Sequence, residues 1–132
     1  MSGFRVAGLA AIPSLPNDLV EAEWKPVRRE LGVTAFGVNG YIARAAREVV
    51  IEEHAEGSAG HEELYVVTSG RAAFTIAGEE IDAPAGTLLA VTDPSIVRGA
   101  VAREPGTAVL VVGAPRGEPY ALRNWERTRI GE

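Results

Sequence analysis

Short apolar segments dominate the chain from residue 33 onward, and Gly, Pro, Asn or Asp interrupts each of them after a few residues. The segments are rich in Val, Ile, Phe and Tyr, a composition typical of β-strands. Turn residues recur about every eight to twelve positions, a spacing that favours a sandwich or a barrel. The pattern predicts strands over residues 33–39, 41–45, 49–54, 63–68, 72–76, 79–82, 88–92, 96–102 and 108–112.

The clearest turn between two of these strands is Ala77-Gly78, because Gly tolerates the positive φ that a tight hairpin needs. Successive side chains of a strand point to opposite faces of the sheet. If Glu63 points into the barrel, Tyr65 and Val67 therefore do so as well.

The segments on either side of the predicted strands have a different character. Residues 1–32 contain three prolines and a brief helical pattern at 19–24, which predicts an arm with one short strand. We expect this arm to pack on the barrel, 33–114, or on a partner subunit. Residues 115–132 are predicted to form a C-terminal extension, either as a short helix or as a returning strand.

The composition indicates a folded single-domain protein. The chain has 132 residues, of which 46% are hydrophobic and 23% charged, and this length suits one hydrophobic core. It contains no cysteine, which excludes disulfides and thiolate metal sites and fits a reducing cytoplasm. The apolar run at 6–12 is too short to cross a bilayer. We expect a cytoplasmic protein that does not bind membranes.

The charge argues against a nucleic-acid partner. The formal net charge is -5, and the basic residues are scattered along the chain rather than clustered. Binding to phosphates needs grouped Lys and Arg side chains. The expected partner is instead a small molecule.

Both histidines, His54 and His61, lie in one window, 52–63, together with five glutamates. Imidazole nitrogens beside carboxylate oxygens are common ligands for zinc, iron, manganese or nickel. The window is therefore a candidate metal site. It also fits a solvated strand end whose flexible tip is 57–60.

Glycine, proline and glutamate spacings in the predicted barrel resemble the paired signature of the cupin superfamily. Glu63 is followed after six residues by Gly70, and a second group is formed by Gly78, Pro84 and Gly86. The resemblance covers about residues 33–112. It implies an all-β fold, the double-stranded β-helix or jelly-roll barrel, and a homodimer that forms through exchanged N-terminal strands or through sheet packing.

The chain departs from the ligand pattern of that family. The places of the two motif histidines fall near 57–59, and Leu89 replaces the later histidine with a side chain that cannot bind a metal. If the loop carries extra residues, His54 and Glu56 take the places of the histidine pair. Alternatively, His54, His61 and Glu63 hold Fe, Mn, Ni or Zn, with none of these metals favoured.

Four further residues are candidates for ligand binding. Tyr65 is expected to point inward, either to bind a ligand or to pack with its hydroxyl satisfied. Asn39 and Tyr41 share a strand face and either line the cavity mouth or mark a bulge. Arg98 is able to hold an anion, although a surface position is the favoured interpretation.

Three functions remain open on this sequence. The leading hypothesis is a small-molecule-binding barrel without an intact conventional metal site. The alternative is a metal-dependent enzyme, of oxygenase or isomerase type, that uses His54, His61 and Glu63. The third is an assembly role, in which the proline-rich N-terminal arm pairs two subunits, and dimerisation is compatible with both of the others. Trp24 and Trp125 are predicted to clamp the terminal segments on the core.

Overall fold

Two antiparallel sheets form the body of the protein in the computed structural model, which describes residues 3–57 and 60–131. The strands are β1 (Glu23–Lys25), β2 (Gly37–Ile42), β3 (Val49–His54), β4 (His61–Ser69), β5 (Arg71–Ile76), β6 (Glu79–Pro84), β7 (Leu88–Val91), β8 (Arg98–Ala102) and β9 (Ala108–Pro115). Two short helices, α1 (Val27–Leu31) and α2 (Asn124–Ile130), and a 3₁₀ turn, Leu9–Ala11, complete the described part. The all-β prediction is confirmed.

The first sheet has the strand order β1-β2-β9-β4-β7, and the second has the order β3-β8-β5-β6. The inner faces of the two sheets pack on one shared core. Along each strand, side chains that point into this core alternate with side chains that point outward. In β4, Tyr65 and Val67 point inward and are both 1% exposed, whereas Leu64 points to the outer face and is 37% exposed. Large side chains such as Trp24 and Phe74 fill the centre of this core.

The two strands predicted at 33–39 and 41–45 are one strand, β2. The prediction was wrong because Gly40 stays extended within the ladder, where it pairs with Lys25 and Leu110. A Cβ atom at this position would lie 2.5 Å from Cδ1 of Leu9. The glycine therefore marks a close approach of the arm to the sheet rather than a turn.

The brief helical pattern at 19–24 forms no helix, since part of that segment is β1, a short strand that joins the first sheet. The first helix, α1, begins after Pro26 and ends before Gly32. Ile12 and Val27 pack with Val38 in a second, smaller apolar cluster on the outer face of β2. The arm thus covers part of this sheet.

The C-terminal extension takes the helical alternative as α2. Trp125 of this helix packs on the fully buried Trp24, with ring centroids 5.4 Å apart. This contact agrees with the predicted clamp. No helix within residues 3–57 and 60–131 is both long and apolar enough to cross a membrane.

Candidate functional site

A cavity of about 280 Å³ lies between the inner face of the first sheet and the C-terminal extension. Strand β2 contributes Asn39 and Tyr41, and β4 contributes His61, Glu63 and Tyr65. Apolar and aromatic side chains form much of the remaining lining, namely Leu19, Val20, Ile51, Val111, Tyr120 and Trp125. The cavity therefore combines a polar side with an apolar one.

Glu63 is the centre of the polar side. Its Oε1 accepts hydrogen bonds from the Tyr65 hydroxyl at 2.6 Å and from Arg98 Nη2 at 2.7 Å. The same oxygen lies 3.5 Å from His54 Nε2. Glu63 lies two residues before Tyr65 on β4, so both side chains point to the inner face of the strand and meet there.

His54 at the end of β3 faces two carboxylates. Its Nε2 lies 2.9 Å from Glu56 Oε2, and its Nδ1 lies 2.7 Å from the Glu52 carbonyl oxygen, to which it donates. The other oxygen of Glu56 accepts a hydrogen bond from Arg123 Nη1 at 2.5 Å. Glu56 thus joins the polar side to the C-terminal extension.

These contacts shift the pKa values of the participating groups. Burial alone would lower the pKa of His54, but hydrogen bonds to Glu56 and Glu63 outweigh it and raise the pKa to about 10. Burial opposes the charged form of Glu56, yet hydrogen bonds from His54 and Arg123 lower its pKa to about 2. The pKa of Glu63 is also lowered, because hydrogen bonds outweigh its burial.

Arg98 is fully buried, so the favoured surface interpretation of this residue is wrong. Its inward position on β8, opposite His54 on β3, brings the guanidinium to Glu63 and to the Tyr65 hydroxyl, which is 3.2 Å from Nε. Further hydrogen bonds reach the carbonyl of Ile96 at 2.8 Å. The alternation of β8 puts Arg98 on the same face as the buried Ala100, but the residue type favoured an exposed position, since an arginine is rarely fully buried without a partner.

Asn39 and Tyr41 are both buried and share the inner face of β2. The side-chain oxygen of Asn39, Oδ1, accepts a hydrogen bond from Trp24 Nε1 at 2.8 Å, which fixes the orientation of the side-chain amide. Burial raises the pKa of Tyr41, so its hydroxyl remains protonated. The sequence prediction that these two residues line a cavity agrees with their positions.

His61 lies on the same cavity but away from His54. Its ring packs against Tyr120 with centroids 5.8 Å apart, and burial together with Arg123 lowers its pKa. Within the described residues, the group that brings metal-ligating atoms to within 4.8 Å of one another is His54, Glu56 and Glu63. The structure therefore differs from the hypothesis of a metal site formed by His54, His61 and Glu63, because Glu56 rather than His61 lies beside the other two residues.

Similar solved structures are found for this chain, whereas no family model and no curated protein matches it. A cupin protein from Bacteroides fragilis is similar over 93% of this chain and 93% of that chain, with a TM-score of 0.66 and 21% identity. An RmlC-like cupin from Desulfovibrio desulfuricans is 28% identical over 62% of this chain and 74% of that chain, with a TM-score of 0.53. A sugar phosphate isomerase of the cupin superfamily, from Silicibacter pomeroyi, covers 78% of this chain and 66% of that chain at 20% identity and a TM-score of 0.59. The chain has the cupin fold.

The resemblance stated from the sequence, including the jelly-roll barrel, is thereby confirmed at the level of the fold. In this fold, Gly70 lies between β4 and β5, and Gly78 lies in the hairpin between β5 and β6. Leu89 pairs with Tyr65 and packs against the core, so an apolar side chain occupies the place of the later motif histidine.

His54 and Glu56 come together with Glu63, as the alternative with extra loop residues predicted. The window is partly buried at His54, Glu56 and Glu63, unlike a fully solvated strand end. Of the tip at 57–60, residues 58 and 59 lie outside the described part of the chain.

Sequence reasoning missed the residues that the C-terminal extension contributes to the cavity. Tyr120, Arg123 and Glu126 line it, and Glu126 is only 1% exposed, with Oε2 3.0 Å from Arg28 Nε. The segment 120–126 combines aromatic and charged side chains, which indicates a partly buried segment. Nothing local in the sequence indicates that Arg123 meets Glu56, 67 residues earlier.

Proposed function

We propose that this cupin binds a small organic molecule in the cavity between its first sheet and its C-terminal extension. The observation that carries the proposal is the composition of that cavity. It places several fixed polar groups, centred on Glu63, opposite apolar side chains such as Val111 and Trp125. Concave sites of this kind are typical of small-molecule binding.

The polar groups support the proposal because the protein holds them in place before any ligand arrives. Glu63 is fixed by Tyr65 and Arg98, and Asn39 is fixed by Trp24. A preorganised site loses less conformational entropy when it binds. The arrangement therefore favours recognition of one class of molecule over a purely structural role.

A fragment screen by ligand-detected NMR tests this function, with each hit mapped on ¹⁵N-labelled protein. We expect hits whose largest shift changes fall on the inward residues of β2 and β4, such as Asn39 and Tyr65. Hits that map only to the outer faces of the sheets, or the absence of any hit, would reject the proposal.

A metal-dependent enzyme is the second candidate, and the three-residue group at His54 favours it. His54 Nε2 and one oxygen each of Glu56 and Glu63 fit a divalent metal such as Mn, Fe, Ni or Zn. The hydrogen bond from His54 Nδ1 to the Glu52 carbonyl directs Nε2 toward the carboxylates, a common support for metal-binding histidines. A metal held there would supply Lewis-acid chemistry or activate a bound water.

Binding at this group requires His54 to lose the proton that it shares with Glu56. Arg98 and Arg123 would remain on the outer sides of the two carboxylates and orient them. Leu89 offers no further ligand atom, so the remaining positions around a metal would be left to water or to a substrate.

Elemental analysis and calorimetric titration with Mn²⁺, Ni²⁺ and Zn²⁺ test the second candidate. We expect stoichiometric binding by the wild type, its loss in His54→Ala and its retention in His61→Ala. Binding that survives in His54→Ala, or a wild type that takes up none of these ions, would exclude this site.

A further inference from the structure

We infer that the ligand of this cavity is an uncharged, hydroxyl-rich molecule such as a sugar or polyol, and that His61 and Tyr120 hydrogen-bond it directly. This inference rests on the small-molecule function proposed above. It assigns the class of ligand and gives the C-terminal extension a part in recognition.

The charges around the cavity are already paired within the protein. Glu56, Glu63 and Glu126 lie 2.5, 2.7 and 3.0 Å from the guanidinium groups of Arg123, Arg98 and Arg28, in that order. A charged ligand would lose its hydration without gaining a free counter-ion from these groups. The remaining acid of the lining, Glu52, is partly exposed. The interior of the cavity therefore favours a neutral ligand.

The polar groups that stay available are uncharged donors and acceptors. His61 is 7% exposed and lines the cavity, and within residues 3–57 and 60–131 its ring makes no hydrogen bond. The hydroxyl of Tyr120 likewise lacks a protein partner in the described part of the chain. Tyr120 is only half-buried, and the fully buried polar atoms without a partner lie on other residues, so both open groups are accessible from the cavity and free to bind a ligand there.

Two glycines let Tyr120 and Glu63 lie close against the strands that line the cavity. Gly37 of β2 and Gly113 of β9 are direct cross-strand partners, and Gly113 also pairs with Glu63 of β4. A Cβ atom on Gly37 would lie 3.1 Å from the Tyr120 hydroxyl oxygen. A Cβ atom on Gly113 would lie 3.1 Å from Cγ of Glu63. A larger residue at either glycine would push the Tyr120 hydroxyl or the Glu63 side chain away from its present position.

The chemistry of these groups matches hydroxyl groups. A tyrosine hydroxyl both donates and accepts, an imidazole offers both functions, and the carboxylate of Glu63 accepts. Hydroxyl groups of a sugar or polyol also donate and accept, so they can satisfy all three at once. The aromatic ring of Trp125, on the same cavity, offers an apolar surface to the carbon skeleton.

The test compares three matched sets of ligands by saturation-transfer NMR and ¹⁵N mapping: neutral pentoses and hexoses, their phosphates, and their amino derivatives. We expect cavity binding by members of the neutral set, at least about tenfold tighter than by their charged counterparts. Tyr120→Phe and His61→Phe should each weaken that binding by at least about fivefold, because each leaves a polar group of the ligand unpaired. Thr75→Val, on the exposed face of β5, is the control and should bind like the wild type.

Two results would overturn the inference. In one, phosphates or amino derivatives bind in the cavity as tightly as the neutral sugars. In the other, Tyr120→Phe and His61→Phe bind like the wild type. If other fragments map to the cavity while no sugar does, the ligand class is wrong and the small-molecule function stands. If nothing maps to the cavity, both fail.

Discussion

Glu63 and Arg98 connect the two sheets from inside the barrel. Glu63 lies on β4 of the first sheet and Arg98 on β8 of the second, and their side chains meet at 2.7 Å between Oε1 and Nη2. The side chain of Arg98 is fully buried and that of Glu63 is 14% exposed. The polar side of the cavity is thus also a structural link across the core.

Replacement of Arg98 should destabilise the protein strongly, because it leaves the Glu63 carboxylate buried without a counter-ion. We expect Arg98→Met to lower the free energy of unfolding by about 3 kcal/mol or more, as measured by urea denaturation. The double variant Arg98→Met, Glu63→Leu should recover much of that loss.

Arg71→Met is the matched control for this measurement. Arg71 pairs with Asp82 on the exposed face of the second sheet, where solvent screens the interaction. The urea midpoint should therefore change little. Equal losses in Arg98→Met and Arg71→Met would contradict the role assigned to the buried pair.

The two motif glycines should respond differently to substitution. Gly70 and Gly78 both have a positive φ, 70° and 81°, which costs an alanine about 1 kcal/mol. A Cβ atom on Gly70 would also lie 2.5 Å from Thr107 Oγ1 and 2.6 Å from Thr107 Cα, whereas one on Gly78 meets no atom within 4 Å. Gly70→Ala should therefore lower the unfolding free energy by about 2 kcal/mol more than Gly78→Ala. Equal effects would show that backbone conformation alone explains both glycines.

The fold could be predicted from the sequence because strand alternation and turn glycines are local signals. The strand 49–54 was predicted with its observed bounds, and Ala77-Gly78 forms the expected tight turn, with φ of 51° and 81°. The prediction of a break at Gly40 was wrong because the reason for this glycine does not lie in the neighbouring sequence. The side chain that requires it, Leu9, lies on a different segment.

Stability should depend on pH through His54. Its pKa is raised from 6.5 to about 10, so its contribution is complete below pH 6.5 and is lost as the pH rises through about 10. We expect the metal-free protein to lose about 2 kcal/mol over this interval, after allowance for the solvent that reaches the ring. His54→Gln should remove most of this slope in urea denaturation curves recorded at successive pH values.

His61→Gln is the control for that pH series. Because the pKa of His61 is lowered, its contribution changes on the acid side and should leave the alkaline slope intact. An alkaline slope that persists in His54→Gln would refute the assignment to His54.

The homodimer expected from the resemblance remains a prediction, and the outer face of the first sheet is the surface proposed for it. Leu64 and Leu88, on the neighbouring strands β4 and β7, are 37% and 68% exposed. We expect a dimer by light scattering coupled to size-exclusion chromatography, and a monomer for Leu64→Asp, Leu88→Asp. Val101→Asp, on the outer face of the second sheet, should remain dimeric. A monomeric wild type, or a double variant that stays dimeric, would contradict the assignment of this surface.

The candidate site could be predicted only in part. The window that holds His54, Glu56 and Glu63 was visible because its residue types are those of metal and ligand sites. The positions of Arg98 and Arg123 were not, since each depends on contacts between segments that are distant in sequence, 35 residues for Arg98 and Glu63 and 67 for Arg123 and Glu56. Long-range pairs of this kind leave no periodic signal.

The most direct test of a ligand-binding cavity is to fill it. Val111 lies on the inner face of β9 and lines the cavity, so Val111→Trp should occupy the space that a ligand needs. We expect fragments that bind the wild type in the NMR screen to lose their binding to Val111→Trp, while its circular dichroism spectrum stays that of a folded β-protein. Unchanged binding of the same fragments to this folded variant would show that the cavity is not where this protein binds its ligand.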